Sequence, residues 1–143
     1  MAKKKGTTDY PIRVLVGVND TIAEKLEEQE ITTTKEFLEM CVTRNDRQII
    51  SDLLEIHEGD ILTMANMADL LRIETITPPW AWLLEKVGVD TIPELAQRNP
   101  ERLYKSIEEY DIAFLDDVND KPSGDDVKEW VAKAKEMERF LKY

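Results

Sequence analysis

The chain predicts an all-α fold, with two tandem helical repeats packed as one compact domain. Three observations predict it. Apolar residues recur at three- and four-residue spacing through most of the 143 residues, which is the period of helices with one buried face. The segment Leu15–Leu26 returns 58 residues later as Ile73–Leu84. Prolines and glycines fall where helices start and stop, at Pro78-Pro79, Pro100, Gly59 and Gly88.

The repeat is legible position by position. Ala23 matches Ala81, Leu26 matches Leu84, Thr33 matches Thr91 and Glu36 matches Glu94. Val18 and Ile76, Ile31 and Val89, and Phe37 and Leu95 are apolar in both copies. A period of this length is a supersecondary unit used twice. It divides the chain into a flexible basic arm at residues 1–11, a first repeat at 12–72 and a second repeat at 73–143.

In the first repeat, Ile12–Val16 reads as a short extended lead-in. Asp20 or Thr21 is a candidate N-cap for a helix whose inner face is Ile22, Ala23 and Leu26. After the break at Ile31–Thr33, Thr34 is a candidate cap for a short helix through Phe37, Leu38 and Cys41. A third helix is expected from about Asp46 to His57, with Ile49, Ile50, Leu53 and Leu54 inward. Gly59 stops it, and Asp60 caps a fourth helix carrying Ile61, Met64, Ala65, Ala68 and Leu71.

In the second repeat, Pro78-Pro79 opens a helix with Trp80, Ala81, Leu84 and Val87, closed by Gly88. Pro93–Arg98 is a short helix, and Asn99-Pro100 caps another through Leu103, Tyr104 and Ile107. Asp116–Pro122 reads as a loop. Gly124-Asp125 starts a last helix. Its Val127, Trp130, Val131 and Ala134 fall where Ile61, Met64, Ala65 and Ala68 fall in the fourth, 66 residues earlier.

The net charge is −11. Residues 1–13 carry Lys3, Lys4, Lys5 and Arg13 against Asp9, a balance of +3, so the remainder carries −14. A body that acidic repels phosphate backbones and favours basic or neutral partners. No apolar run approaches the ~20 residues that span a bilayer, and the Met-Ala-Lys-Lys-Lys-Gly start lacks the apolar core of a secretory signal. Cys41 is the single cysteine, so no internal disulfide is possible. A reducing cytoplasm suits the chain.

The pattern apolar-x-Gly-apolar-Gly-x-x-x-Ala-x-x-Leu, followed by a glycine turn and an apolar-x-Thr pair, is a helix-hairpin-helix signature. Over residues 12–140 the chain resembles an uncharacterised family with two tandem, degenerate helix-hairpin-helix repeats. The stretches Met67–Ile73 and Gly88–Leu103 carry the resemblance furthest. It implies a fold without a settled activity. In nucleic-acid-binding hairpins of this kind the glycines take positive φ and expose N–H groups that hold a phosphate. Here the first copy keeps Gly17 but has Asn19 at the second glycine, followed by Asp20. Asparagine tolerates left-handed geometry. The second copy has Thr75 and Thr77, and Pro78-Pro79 removes two N–H donors. A phosphate contact would therefore fall to Gly17, Val18 and Asn19 with Lys3, Lys4 and Lys5.

Nothing else in the sequence forms a chemical constellation. His57 is the lone histidine, with no partner set for zinc; at the end of a helix an imidazolium would suit the dipole. Asp116–Asp120 begins like a calcium loop but lacks the glycine and the closing glutamate. Ser51, Ser106 and Ser123 lack a nucleophile elbow, and Glu27-Glu28 and Glu108-Glu109 read as solvated helix faces. No cofactor, metal or catalytic residue is expected, and the chain does not read as an enzyme.

Trp82 and Leu83 stand where the first copy has the solvent-face residues Glu24 and Lys25. Trp80 and Trp82, two apart, cannot share one narrow helix face. Trp82 is thus either covered by the last helix or presented to a partner, where aromatics are enriched. The sequence reads as an interaction or adaptor module that docks on another protein or on itself, with Trp80, Trp82 and Leu83 as the contact set. The alternative is a nonspecific nucleic-acid accessory protein that uses the first hairpin and the lysine arm, disfavoured by the acidic charge.

Overall fold

A computed structural model of the chain describes residues 8–15, 17–110 and 122–142. The described residues form eight α-helices and a short 3-10 turn at Ile12–Val14, with no strand. The helices are α1 (Asp20–Glu28), α2 (Thr34–Glu39), α3 (Arg44–Leu54), α4 (Glu58–Leu70), α5 (Pro78–Lys86), α6 (Ile92–Gln97), α7 (Pro100–Glu108) and α8 (Gly124–Glu136). The all-α expectation holds.

The predicted lead-in is not a strand. Pro11 and Thr33 form an isolated antiparallel bridge, with the Ile12 N–H donating to the Thr32 carbonyl at 2.9 Å and the Thr34 N–H to the Tyr10 carbonyl at 2.8 Å. The basic arm expected at 1–11 is therefore tied to α2 from Tyr10 onward, whose own N–H donates to Thr34 Oγ1 at 3.1 Å. Residues 1–7, including Lys3, Lys4 and Lys5, lie outside the described residues, as do 111–121 with all of the expected Asp116–Pro122 loop except Pro122.

Side-chain caps set the helix starts, and several fall one to three residues before their expected positions. Asn19, rather than Asp20 or Thr21, caps α1 by accepting the Ile22 N–H at 2.8 Å. Thr33, rather than Thr34, caps α2 in a reciprocal box with Glu36. Thr43 starts α3 in the same way with Asp46, so the third helix runs from Arg44 to Leu54 instead of Asp46 to His57. It stops because Glu55 turns left-handed at φ +58°. His57 belongs to the next helix: its Nδ1 accepts the Gly59 N–H at 2.8 Å, so an imidazole lone pair, not Asp60, caps α4. Gly59 lies inside that first turn. These caps satisfy N–H groups that have no partner within their own helix.

Burial follows. α4 is enclosed along its C-terminal half, with Met64 through Leu70 all buried, and it packs against α2, α3 and α5. α8 packs against α6 and α7 through Val127, Trp130, Val131 and Ala134. One apolar cluster runs through both halves and includes Leu26, Phe37, Ile61, Leu71, Leu84, Leu95 and Trp130. Trp130 Nε1 donates to Thr75 Oγ1 at 3.0 Å, so α8 is bonded to the connector between α4 and α5.

On α3 the inner face differs from the expected one. Ile50 and Leu54 are buried, but their companions are Arg47 and Ser51, while Ile49 is 57% and Leu53 37% exposed. The reason is polar. Arg47 sends Nη1 to the carbonyls of Cys41 at 2.9 Å and Val42 at 3.2 Å, and Nη2 to that of Lys142 at 2.8 Å. Ser51 Oγ donates to the Ile56 carbonyl. Turning α3 to serve these acceptors rotates Ile49 and Leu53 outward.

Candidate interaction surface

Ile49 and Leu53 are four residues apart and so lie on the same side of α3. With Met40, at 47%, they are the large apolar side chains left exposed among the described residues. Acidic groups border them: Asp52, which accepts from Gln48 Nε2 at 3.1 Å, and Glu55, paired with Lys25 at 3.2 Å. Counted from the N-cap, the corresponding positions of α7 are Lys105 and Glu109, both exposed. One helix thus carries Ile and Leu where its counterpart carries charge. The sequence reading assigned Ile49 and Leu53 to the core because the stripe 49-50-53-54 is fully apolar. The true stripe, 47-50-51-54, is equally helical in period but needs Arg47 and Ser51 to be satisfied by carbonyls outside the helix.

The expected contact set around Trp82 separates. Trp80 is 4% and Leu83 1% exposed; both are core residues and are corrected out of any surface role. Trp82 is half-buried. Its ring meets Tyr110 edge-to-face at 6.0 Å between centroids, and Lys86 Nζ lies 5.3 Å from its centroid. These ring contacts come from its own helix and from Tyr110 just after α7, not from the last helix that was expected to cover it.

At the first hairpin, Gly17 is at φ +86° with open space around it. The Val18 N–H is used by the Leu15 carbonyl at 3.2 Å. Asn19 is extended at φ −97°, which corrects the expected left-handed geometry: its side chain is engaged in capping α1, which requires an extended backbone. Asp20 stands beside this turn, ion-paired with Arg13. The Asn19 cap and the Asp20 carboxylate thus both stand at this turn. At the equivalent turn of the second half, Thr75 accepts from Trp130 and is not in the left-handed region. Pro78 and Pro79 hold the first two positions of α5.

A shallow depression of about 340 Å³ lies at the start of α4, between Arg44, Arg47, His57, Glu58, Gly59 and Leu62. Its charges are spent internally: Arg44 pairs with Glu58 at 3.4 Å, Arg47 bonds carbonyls and His57 caps α4. Deeper, Asp69 is 2% exposed and pairs with Arg72 at 2.9 Å. Burial raises its carboxyl above the ordinary value, and Arg72 opposes that rise. Cys41 is fully buried, and burial pushes its thiol up to about 12, the opposite of an activated nucleophile. Among the described residues no group of three or more His, Cys, Asp or Glu is placed to hold a metal ion, and no helix is long and apolar enough to cross a membrane.

No curated protein and no solved structure matches the chain. A family model described as a domain of unknown function, DUF4332, matches residues 16–137. That match begins at the first hairpin and runs through α8, taking in both halves of the helical body. The chain belongs to the DUF4332 family.

Proposed function

We propose that this chain is a non-enzymatic interaction module, built from two degenerate helix-hairpin-helix units, that docks a basic amphipathic segment of a partner protein. The observation that carries it is the outward Ile49–Leu53 pair on α3. Two apolar groups one helical turn apart, rimmed by Asp52 and Glu55, suit a helix with an apolar stripe and flanking Lys or Arg. The overall charge of −11 steers such a segment to the surface.

The two-unit reading is supported by element placement. α1 and α5 have nine residues each and start 58 apart; α2 and α6 have six each and start 58 apart; α4 and α8 have 13 each and start 66 apart. Because the turns at Gly17 and Thr75 differ, the scaffold is kept here for packing rather than for a pair of phosphate nests. A buried, free Cys41 fits a reducing cytoplasm.

The test uses a labelled basic amphipathic helical peptide and a labelled DNA duplex, each titrated with the full chain at low and moderate salt. The peptide is expected to bind, and a chain carrying Ile49→Lys and Leu53→Lys to lose at least about tenfold in affinity, roughly 1.4 kcal/mol. Equal peptide binding by both chains would overturn the assigned surface. Salt-sensitive duplex binding abolished by removing residues 1–6 would replace the reading with the nucleic-acid one.

A further inference from the structure

We propose that Met137–Lys142 is a latch that opens independently of the helices it closes over. The chain leaves the helical ladder at Met137, whose backbone is extended at φ −90° and ψ 137°, and crosses to the first half of the molecule. Leu141 is 1% exposed in the apolar core. The Phe140 ring lies under the Arg72 guanidinium, 5.3 Å from its centroid. The Lys142 N–H donates to the Val42 carbonyl at 2.8 Å, and Arg47 Nη2 donates to the Lys142 carbonyl at 2.8 Å.

Arg47 is the fastener. It is buried, it stands on α3, and its other nitrogen already holds the carbonyls of Cys41 and Val42. One planar fork therefore grips both sides of the joint, the turn after α2 and the last residues of the chain. The joint links positions 95 residues apart, yet it consists of a few side-chain anchors on a non-helical strip. Ordering such a strip costs backbone entropy at every residue, and no helix loses a hydrogen bond of its own ladder when the strip leaves. Segments with this balance open sub-globally. Opening uncovers an acceptor at Val42, a forked donor at Arg47 and the socket of Leu141. An extended chain uses that set, and its resident occupant is the latch itself.

Native-state hydrogen exchange on the full chain tests this. The Lys142 amide is compared with that of Leu71, which bonds to the Met67 carbonyl at 3.1 Å inside the core. The latch is expected to give Lys142 at least tenfold lower protection than Leu71, with little dependence on added urea. Leu141→Ala weakens the closed state against the latch-open and the unfolded states alike, so it is expected to speed Lys142 and Leu71 exchange by a similar factor, about tenfold, and to keep the gap between the two amides. Equal protection and equal urea dependence of the two amides in the wild-type chain would overturn the latch, as would a Leu141→Ala chain that unfolds outright.

Discussion

Glu30 and Gly88 hold the same place in two turns of the same design. Each follows a nine-residue helix and has positive φ, +63° for Glu30 and +97° for Gly88. Each precedes a buried apolar residue, Ile31 or Val89, whose N–H reaches back to the Leu26 or Leu84 carbonyl at 2.9 and 2.8 Å. The Glu30 and Gly88 N–H groups bond to the Glu27 and Glu85 carbonyls at 2.9 and 3.1 Å. This is the paired hydrogen-bond pattern that ends a helix through a left-handed residue. Glycine does it freely; glutamate does it under strain.

Glu30→Gly is therefore expected to stabilise the chain by about 0.5–1 kcal/mol, the left-handed cost less the extra chain entropy of glycine. Gly88→Ala is expected to destabilise it by about 1 kcal/mol or more, because a Cβ there would also meet Arg98 Nη2 at 3.2 Å. Urea midpoints at constant m-value read both effects; a Glu30→Gly chain less stable than wild type would show that this turn is not strained.

The two faces of α3 should answer mutation differently. Ile49→Lys and Leu53→Lys are expected to change stability by no more than about 0.5 kcal/mol each, as for solvent-exposed sites. Ile50→Ala and Leu54→Ala, at 2% and 3% exposure, are expected to cost about 2–4 kcal/mol each. Thermal or urea unfolding of the four variants separates the faces, and equal costs on both would mean that α3 is turned the other way.

Trp130, buried, and Thr75, exposed, form a part-buried polar contact that can be left half-made. Thr75→Val keeps the shape but strands the Trp130 Nε1–H, at an expected cost of about 1–3 kcal/mol. A Thr75→Ser chain, which retains the hydroxyl, should recover most of that loss. Equal losses in the two variants would show that the methyl group, not the hydrogen bond, matters.

Two carboxyl groups pull the pH dependence of stability in opposite directions. Glu36 lies below its ordinary value of 4.5, held there first by the Thr32 N–H and also by the Thr32 hydroxyl and Thr33. The stability it adds is present above its unfolded pKa and is lost as pH falls through the lowered folded one. Asp69 lies above its ordinary value of 3.8, raised by burial. The folded state therefore keeps a proton that the unfolded state has lost, and stability falls as pH rises from 3.8 through the raised folded value. Glu36→Gln should flatten the acid limb of a urea-midpoint profile, and Asp69→Asn should remove the decline above it. Profiles parallel to wild type would separate both groups from the pH response.

Much of this architecture could be read from residue types because its caps are local. Thr33 with Glu36 and Thr91 with Glu94 are spaced as capping pairs in the sequence itself, and both Oγ1 atoms accept the glutamate N–H, at 3.2 and 3.1 Å, although the residue pattern pointed to Thr34, one residue late, for the α2 cap. The 66-residue correspondence between α4 and α8 was equally visible, since Ile61, Met64, Ala65 and Ala68 share one spacing with Val127, Trp130, Val131 and Ala134, and all eight are buried. The orientation of α3 was not visible, because three carbonyls from residues 41, 42 and 142 decide it and no local pattern encodes them. Trp82 was recognisable as unusual from its partner Glu24 in the first copy. Lys86 reaches its ring as the i+4 neighbour on α5, but that Tyr110 meets it depends on how α5 and the segment after α7 approach each other. The outward Ile49–Leu53 pair was hidden for the same reason that α3 was misoriented.

The packing of α4 also orders events in time. Its partners α2 and α3 precede it and α5 follows at once, so its contacts close short loops, which form quickly. A chain emerging from the ribosome N-terminus first can assemble α1–α4 before α8 exists. The meeting of Arg47 with Lys142, 95 residues apart, must come last. Pulse-labelling during refolding should therefore protect the Leu71 amide before that of Lys142, making the first half a template on which the second is laid down.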